Sequence, residues 1–273
     1  MNNLGSNIRE SIIAGDCEPL PDSPKGVVLR RFAVETIGTK KFSTGMATFE
    51  AAAELPYHIH DVSEAVTIVE GSARVFVEGR EYALSPFDCI YLPAGTAHAM
   101  SNGSSALMMR AHSAFGASRS SREFVQDRFP CTARESGNPL GKDPEIITRF
   151  ENCSVYELSP GAFFRDLFAR RLGSIGICGG YGRFNPGASL PCHVHSYDES
   201  ITIVDGKAIC LVRGNQYHLS EYDTALVPEG QPHRFMNRSS ATMAMIWVYA
   251  GDEPDRLIVN SDYCSGVMVW PGP

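Results

Sequence analysis

The sequence predicts an all-β protein made of two tandem, similar domains. Three observations carry this reading: a duplication at constant offset, short β-branched runs separated by turn residues, and one set of His and Glu residues that occurs in both copies.

The duplication comes first. His58 and His193 are 135 residues apart, and the same offset links His60 to His195, Glu64 to Glu199, Gly71 to Gly206, Pro93 to Pro228, His98 to His233 and Asn102 to Asn237. From 58 to 102 no gap is needed, and 18 of those 45 positions are identical. Weaker matches extend the unit to Gly26–Gly116 and Gly161–Gly251. A period this long, present twice, means two domains rather than a solenoid. The expected division is an N-terminal arm over 1–25, a first barrel over 26–116, a linker over 117–149 and a second barrel over 150–273. The linker is rich in Ser, Arg, Gly and Pro, among them Ser118, Ser120, Ser121, Pro130, Gly137, Pro139 and Gly141. A short helix is expected over Ser120–Phe129.

Within each unit the pattern is strand. The runs Ala65–Val69 and Ala73–Val77 are β-branched and aromatic and flank Glu70-Gly71, and Ser200–Val204 and Ala208–Val212 flank Asp205-Gly206. Such pairs signal hairpins because Gly accepts the positive φ of a tight turn. Glu78-Gly79 and Arg213-Gly214 mark the next hairpins. Regularly spaced short strands read as a sandwich or barrel.

Composition narrows the function. With 24 Lys and Arg against 31 Asp and Glu, the net charge of −7 argues against nucleic acid and anionic membrane as partners. No run approaches the length of a membrane span. Asn3, Asn7, Arg9 and Glu10 fall where a signal peptide needs apolar residues, so a cytoplasmic location is expected. Eight cysteines are scattered singly, without a CxxC pair, and read as reduced structural thiols. Cys192 reads as buried packing.

The chemistry lies in His58, His60, Glu64 and His98 and their counterparts His193, His195, Glu199 and His233. Residues i and i+2 of a strand share a face, so each His-x-His pair projects together. A turn through Asp61-Val-Ser or Ser196-Tyr-Asp returns the Glu toward them, and Pro-x-Gly-x-x precedes the third His. Three imidazoles and a carboxylate suit Fe(II), Mn(II), Ni(II), Co(II) or Zn(II). Four protein ligands leave open positions on an octahedral ion for substrate or dioxygen.

These residues resemble the two motifs of the cupin superfamily. The first, G-x5-HxH-x3,4-E-x6-G, is matched by His58, His60, Glu64 and Gly71 and again by His193, His195, Glu199 and Gly206. The second, G-x5-PxG-x2-H-x3-N, is matched by Pro93, Gly95, His98 and Asn102 and by Pro228, Gly230, His233 and Asn237. The leading Gly of the first motif is Ala52 in one copy and Gly187 in the other; that of the second is Phe87 and Tyr222. The resemblance implies a bicupin: two double-stranded β-helix (jelly-roll) barrels, each with an internal metal, packed as an internal pseudo-dimer.

What distinguishes the copies should be the wall around the metal. At the 135 offset, Leu107–His112 aligns with Thr242–Trp247. If Met108, Arg110 and His112 face inward, the first cavity gains a cation and a proton relay, where the second has Met243, Met245 and Trp247. If they face outward, His112 is a surface or interdomain residue. Val66, Ile68, Tyr91 and Met100 should line the first cavity, and Ile201, Ile203, Leu226 and Phe235 the second. Arg110 and His112 are thus candidate substrate residues, with Arg30 and Arg165 as further anion binders. Either copy could hold its metal structurally while the other turns over.

The expected function is a mononuclear non-haem dioxygenase using Fe(II), with Glu64 or Glu199 as a ligand that can take the substrate's proton. The alternatives are a metal-dependent isomerase or lyase of a sugar, uronate or keto acid, and a non-catalytic binding protein. The expected partners are a small-molecule substrate and further copies of the chain in a homo-oligomer.

Overall fold

A computed structural model describes residues 10–33, 35–125, 129, 132–134 and 143–272. Linker positions Pro130, Gly137, Pro139 and Gly141, and Cys131, lie outside the described residues. No described helix is long and apolar enough to cross a membrane.

Each unit is a barrel of two facing sheets. In the first, one sheet runs Val27–Arg31, Ser43–Phe49, Met109–Phe115, Glu64–Glu70, Cys89–Leu92 and Ile146–Thr148, in spatial order. Its partner runs Glu123–Phe124, Glu54–Ile59, His98–Asn102, Ala73–Val77, Arg80–Leu84 and Thr132–Arg134. In the second barrel a seven-stranded sheet runs Ser11–Ile13, Thr224–Val227, Glu199–Asp205, Met243–Tyr249, Cys178–Phe184, Ala162–Phe168 and Tyr156–Ser159. It faces a five-stranded sheet of Asn215–Leu219, Ala208–Val212, His233–Met236, His193–Val194 and Leu257–Ile258. The hairpins form where expected, and Glu78-Gly79 and Arg213-Gly214 both take positive φ, as a type I′ turn requires. The positions that depart from the motif glycines keep the glycine backbone: Ala52, Phe87 and Tyr222 have φ of 56°, 68° and 71°.

Apolar residues facing inward fill each barrel, with Val66, Ile68, Val75, Leu84 and Met109 in the first and Ile201, Ile203, Cys210, Phe235 and Met245 in the second. The outward faces of the two large sheets meet in a third core. There Met46, Ala65, Val69 and Ala114 pack with Val204, Ala244, Ile246 and Val248. Buried polar pairs cross this contact: Thr44 Oγ1 lies 3.0 Å from Ser200 Oγ, and His112 Nε2 3.3 Å from Thr202 Oγ1.

The barrels exchange strands. Ser11–Ile13, which precedes the first barrel, pairs with Thr224–Leu226 of the second, while Ile146–Thr148, from between the barrels, pairs with Cys89–Tyr91 of the first. The two pairings are related by the 135 offset. Their anchors follow it too. Glu145 is buried and accepts from Arg80 at 2.6 and 2.9 Å and from Tyr82 Oη at 2.6 Å. Glu10 accepts from Asn215 Nδ2 at 2.7 Å and Tyr217 Oη at 3.2 Å.

Two expectations are corrected. Within Ser120–Phe129 the described residues form no helix; Glu123–Phe124 is a strand paired with His58 and Ile59, because the sheet edge there offers backbone partners. The thiols are not all reduced: Cys192 is joined to Cys264, on the short helix Ser261–Ser265, by a disulfide closing 72 residues. Folding brings these two sulfurs together across a separation that scattered spacing does not reveal.

Candidate metal centres

The structure brings all eight expected ligands into two buried clusters, His58, His60, Glu64 and His98, and His193, His195, Glu199 and His233, with candidate ligand atoms within 4.8 Å of one another in each. Cross-strand pairing does most of this. His58 lies directly opposite His98, and His193 opposite His233. Glu64 and Glu199 open strands of the facing sheets, so carboxylate and imidazoles meet across the barrel interior. The Pro-x-Gly turns are held against the His-x-His segments, with Gly95 N–H donating to His60 O at 2.8 Å and Gly230 N–H to His195 O at 2.9 Å.

Backbone carbonyls set every imidazole. Nδ1 of His58, His60 and His98 donates to Pro56, Ser121 and Thr96 at 2.7, 2.5 and 2.9 Å. Nδ1 of His193, His195 and His233 donates to Pro191, Asp255 and Gln231 at 2.8, 2.5 and 2.9 Å. A neutral ring that donates through Nδ1 presents the Nε2 lone pair, the arrangement a metal needs. The Nε2 atoms converge on the carboxylate: Glu64 Oε2 lies 3.4 and 3.2 Å from His60 and His98, and Glu199 Oε2 3.4 and 2.8 Å from His195 and His233. Glu64 Oε2 is buried without a hydrogen-bond partner among the described residues. An orphaned carboxylate oxygen facing three lone pairs fits a divalent cation.

The electrostatics differ between copies. Burial and the neighbouring His98 push His58 down to about 3, and burial and His233 push His193 well down. Burial also presses on His195, but Glu199 and Asp255 lift it to about 9. Burial alone would raise Glu64, yet His60 and His98 hold its carboxyl below the usual range. The second-sphere acid is exchanged between copies. In the first, Asp61 accepts from Ser121 N–H; in the second, Asp255 accepts from Ser196 N–H and lies 3.6 Å from His195 Nδ1.

The walls differ more, and not as the uniform offset suggests. The segment between Asn237 and Met243 is one residue shorter than that between Asn102 and Met109, so the last strands match at 134. A slip of one residue exchanges the two faces of a strand. Ala111, Ser113 and Phe115 therefore face the first cavity, opposite Met245, Trp247 and Tyr249 in the second. The candidate substrate residues Arg110 and His112 face away. Arg110 pairs with Glu70 and lies over the Tyr222 ring, and His112 is buried between the barrels, kept neutral by burial at about 4. Arg165 donates to the Phe150 and Cys153 carbonyls; Arg30 is among the residues lining the first cavity, but its Nε donates to Cys17 O. Val66 and Met100 line the first cavity as expected; Ile68 lies in the barrel core, and Tyr91 faces the other barrel, hydrogen-bonded to Ile175.

Two arginines that sequence reasoning did not place at the site line the first cavity with His58, His60, Glu64 and His98: Arg31 and Arg122. Arg31 comes from the strand Val27–Arg31, lies 3.9 Å over the Phe115 ring and donates to Ser120 Oγ at 2.7 Å. Arg122 immediately precedes the strand Glu123–Phe124, which pairs with His58 and Ile59; the arginine pairs with Asp22, and its buried Nε has no partner among the described residues. The cavity is about 50 Å³, room for a few waters or a molecule of a few heavy atoms. In the second barrel the Tyr249 hydroxyl lies 3.3 Å from His195 Nε2 and its ring packs on Trp247, so aromatic side chains occupy the corresponding space. The position of Arg31 is taken by Asp166, opposite Gly180 as Arg31 is opposite Gly45.

Comparison with known proteins agrees with this geometry. The cupin domain family matches the chain twice, over residues 45–115 and 180–249, together just over half its length. No curated protein matches the sequence. A two-residue deletion mutant of Bacillus subtilis oxalate decarboxylase superposes with a TM-score of 0.74 at 17% identity, covering 94% of this chain and 80% of that one. A further structure of the Bacillus subtilis enzyme, described for its Mn(II) centres, gives 0.74 at 16% identity over 94% and 81%. The Lactobacillus farciminis oxalate decarboxylase formate complex gives 0.72 at 13% identity over 91% and 88%. At such identities the likeness is one of fold. With the domain present twice and both His/Glu sets assembled inside its barrels, the chain belongs to the cupin family as a bicupin.

Proposed function

We propose that this bicupin is a metal-dependent lyase that decarboxylates a small carboxylate substrate at the first barrel. The observation that carries the reading is the placement of Arg31 and Arg122 in one small cavity with His58, His60, Glu64 and His98. A guanidinium pair beside a cation site recognises a compact anion, and the limited volume suits one of a few heavy atoms. The structural neighbours are oxalate decarboxylases, which makes oxalate the first substrate to assay.

The three histidines and Glu64 would hold a divalent ion, Mn(II) or Fe(II) foremost, whose bound form supplies Lewis acidity and one-electron exchange. The protein's part follows from the geometry. Arg31 and Arg122 neutralise and orient the carboxylate. Arg31 is lowered to about 10 by burial and so stays cationic at neutral pH. Phe115, Met100 and Val66 keep water from the reacting carbon. Glu64, freed from an imidazole contact, can accept the proton of an acid substrate and return it to the carbon that loses CO2. Glu199 would serve as a ligand in the second centre, which Tyr249 closes to substrate and whose role is then structural.

Dioxygenase chemistry would need the same open centre, so the assay must separate the two. Metal-loaded protein given oxalate and related small keto and dicarboxylic acids should release CO2 without net consumption of dioxygen. Arg31→Gln and Arg122→Gln should each reduce kcat/KM about 10- to 100-fold, the loss of a charge-assisted hydrogen bond. Stoichiometric dioxygen uptake, or full activity in both variants, would overturn the reading.

A further inference from the structure

The two His/Glu clusters carry the same candidate ligands but differ by one neighbouring oxygen. Phe115 and Tyr249 hold the same register position, opposite Glu64 and Glu199. Each ring packs on the second histidine of its His-x-His pair, Phe115 on His60 with centroids 5.1 Å apart and Tyr249 on His195 at 4.5 Å. Phe115 shows that a bare ring fills this position. What Tyr249 adds is a hydroxyl at the cluster itself: its Oη lies 3.3 Å from His195 Nε2, the same reach as Glu199 Oε2 at 3.4 Å.

Tyr249 is buried, and a buried hydroxyl needs partners. Those it has belong to the site: His195 Nε2, and the Arg256 guanidinium, which reaches the same oxygen. Arg256 is the counterpart of Arg122, which lines the first cavity. In the first barrel, then, an arginine and a His/Glu cluster face open space; in the second the corresponding arginine and cluster share the Tyr249 oxygen. His195 Nδ1 is engaged by the Asp255 carbonyl, so Nε2 is the atom left for an ion. Once Nε2 turns to an ion, the oxygen beside it loses that partner and faces the ion instead.

We propose that Tyr249 is itself a ligand of the second metal centre, its phenol oxygen taking the coordination position that the first centre leaves open to substrate. This rests on the second cluster being a metal centre, and it gives the closure of that centre a chemical form: the open position is filled from within, not only shielded. Oxygen donors suit Mn(II) and iron. Burial and the neighbouring Glu199 raise the phenol above its usual range, so Mn(II) would meet a hydroxyl that has kept its proton. A ferric ion, the stronger Lewis acid, displaces that proton: the O–H bond breaks, the oxygen binds the iron, and the proton leaves to solvent.

Ferric iron bound to a phenolate absorbs strongly in the visible by charge transfer, which imidazole and carboxylate ligands alone do not produce. The test uses full-length His98→Ala, whose first cluster has lost a candidate ligand, loaded with Fe(II) and oxidised by ferricyanide, which takes one electron from each iron. Metal analysis measures the loading. The ferric protein should show the band, and adding Tyr249→Phe, the residue type of the first barrel, should abolish it at equal iron content. Azide should then bind the iron of the Tyr249→Phe protein at least about tenfold more tightly, since the position is vacated. Bound ferric iron without the band, or a band that survives Tyr249→Phe, overturns the inference and leaves the metal centre standing. Failure to retain iron overturns the second cluster as a metal centre, and the inference with it. Should the iron resist oxidation, Co(II) decides: azide should change the ligand-field spectrum of the Tyr249→Phe protein and not that of its parent, and identical responses would overturn the inference.

Discussion

Six imidazoles, each donating Nδ1 to a carbonyl of its own chain, are the smallest unit of this protein's chemistry. That arrangement fixes the orientation of every ring, and the tautomer of the neutral ones, before any ion arrives. The copies then diverge through one carboxylate, since Asp255 stands beside His195 where the first barrel has Ser121. A group raised to about 9 carries its proton at neutral pH and must lose it to bind metal, whereas His58, at about 3, is already neutral. Loading metal-free protein between about pH 7 and 8 should therefore release about one proton from the second centre, and that centre's affinity should rise with pH up to about 9. The first centre should stay flat over the same range with respect to His58. Calorimetry in buffers of different ionisation enthalpy reads the proton count; Asp255→Asn should lower it, and an unchanged count would refute the assignment. Backbone strain is also a residue matter. Ala52 is exposed and left-handed where its counterpart is Gly187. Ala52→Gly should stabilise the protein by about 0.5–1 kcal/mol in chemical denaturation, the relief of strain less the entropy of glycine. Phe87 and Tyr222 hold the same conformation, but each makes aromatic or cation–π contacts between the barrels, Phe87 with Tyr181 and Tyr222 with Arg110, so glycine there would remove packing as well as strain.

At the scale of elements, one strand decides which barrel is open. Met109–Phe115 and Met243–Tyr249 occupy equivalent places, yet the first presents Ala111 and Ser113 to its cavity and the second Met245 and Trp247. Ser113→Trp should therefore convert the first barrel into the closed type. Turnover should fall by at least about a hundredfold while metal content stays at the parental level, because the ligands lie on other strands. Retained activity with bound metal would contradict the assignment of the cavity. The same strand shows where sequence reading stopped. All eight candidate ligands were legible because they recur at one offset with no gap, and a metal set cannot tolerate a slip. The wall was not, because the offset changes by one residue after Asn102 and nothing in composition marks the change. Arg122 was hidden for a related reason. It lies in a Ser- and Arg-rich stretch that reads as linker, and its counterpart Arg256 emerges only at an offset of 134. Arg31 was visible, but neither of two adjacent arginines on a strand declares which one faces inward without knowing the register.

At the scale of the molecule, the duplication is a pseudo-twofold assembly whose halves are tied by exchanged strands. Duplication and the all-β class were evident in the sequence; the exchange was not, although Glu10/Glu145 and Tyr217/Tyr82 obey the same offset. Strand pairing over such separations leaves no local signal. Glu145 is the stronger anchor, a buried carboxylate with a two-point Arg80 contact and a Tyr82 hydroxyl. Glu145→Ala leaves Tyr82 without its acceptor and Arg80 with only Glu78 and the more distant Asp143, and should cost about 2 kcal/mol in denaturant unfolding; a change below about 1 kcal/mol would show that the strand is held by its backbone pairing alone. The proposed function rests on one asymmetry: two centres with the same candidate ligands, of which only the first would admit a carboxylate. Electron paramagnetic resonance of protein loaded with two Mn(II) per chain, titrated with oxalate, tests that directly. The account predicts that the signal of one centre changes, that His98→Ala removes that responsive signal, and that the remaining centre ignores oxalate. Equal perturbation of both centres, or a response confined to the second, would contradict it.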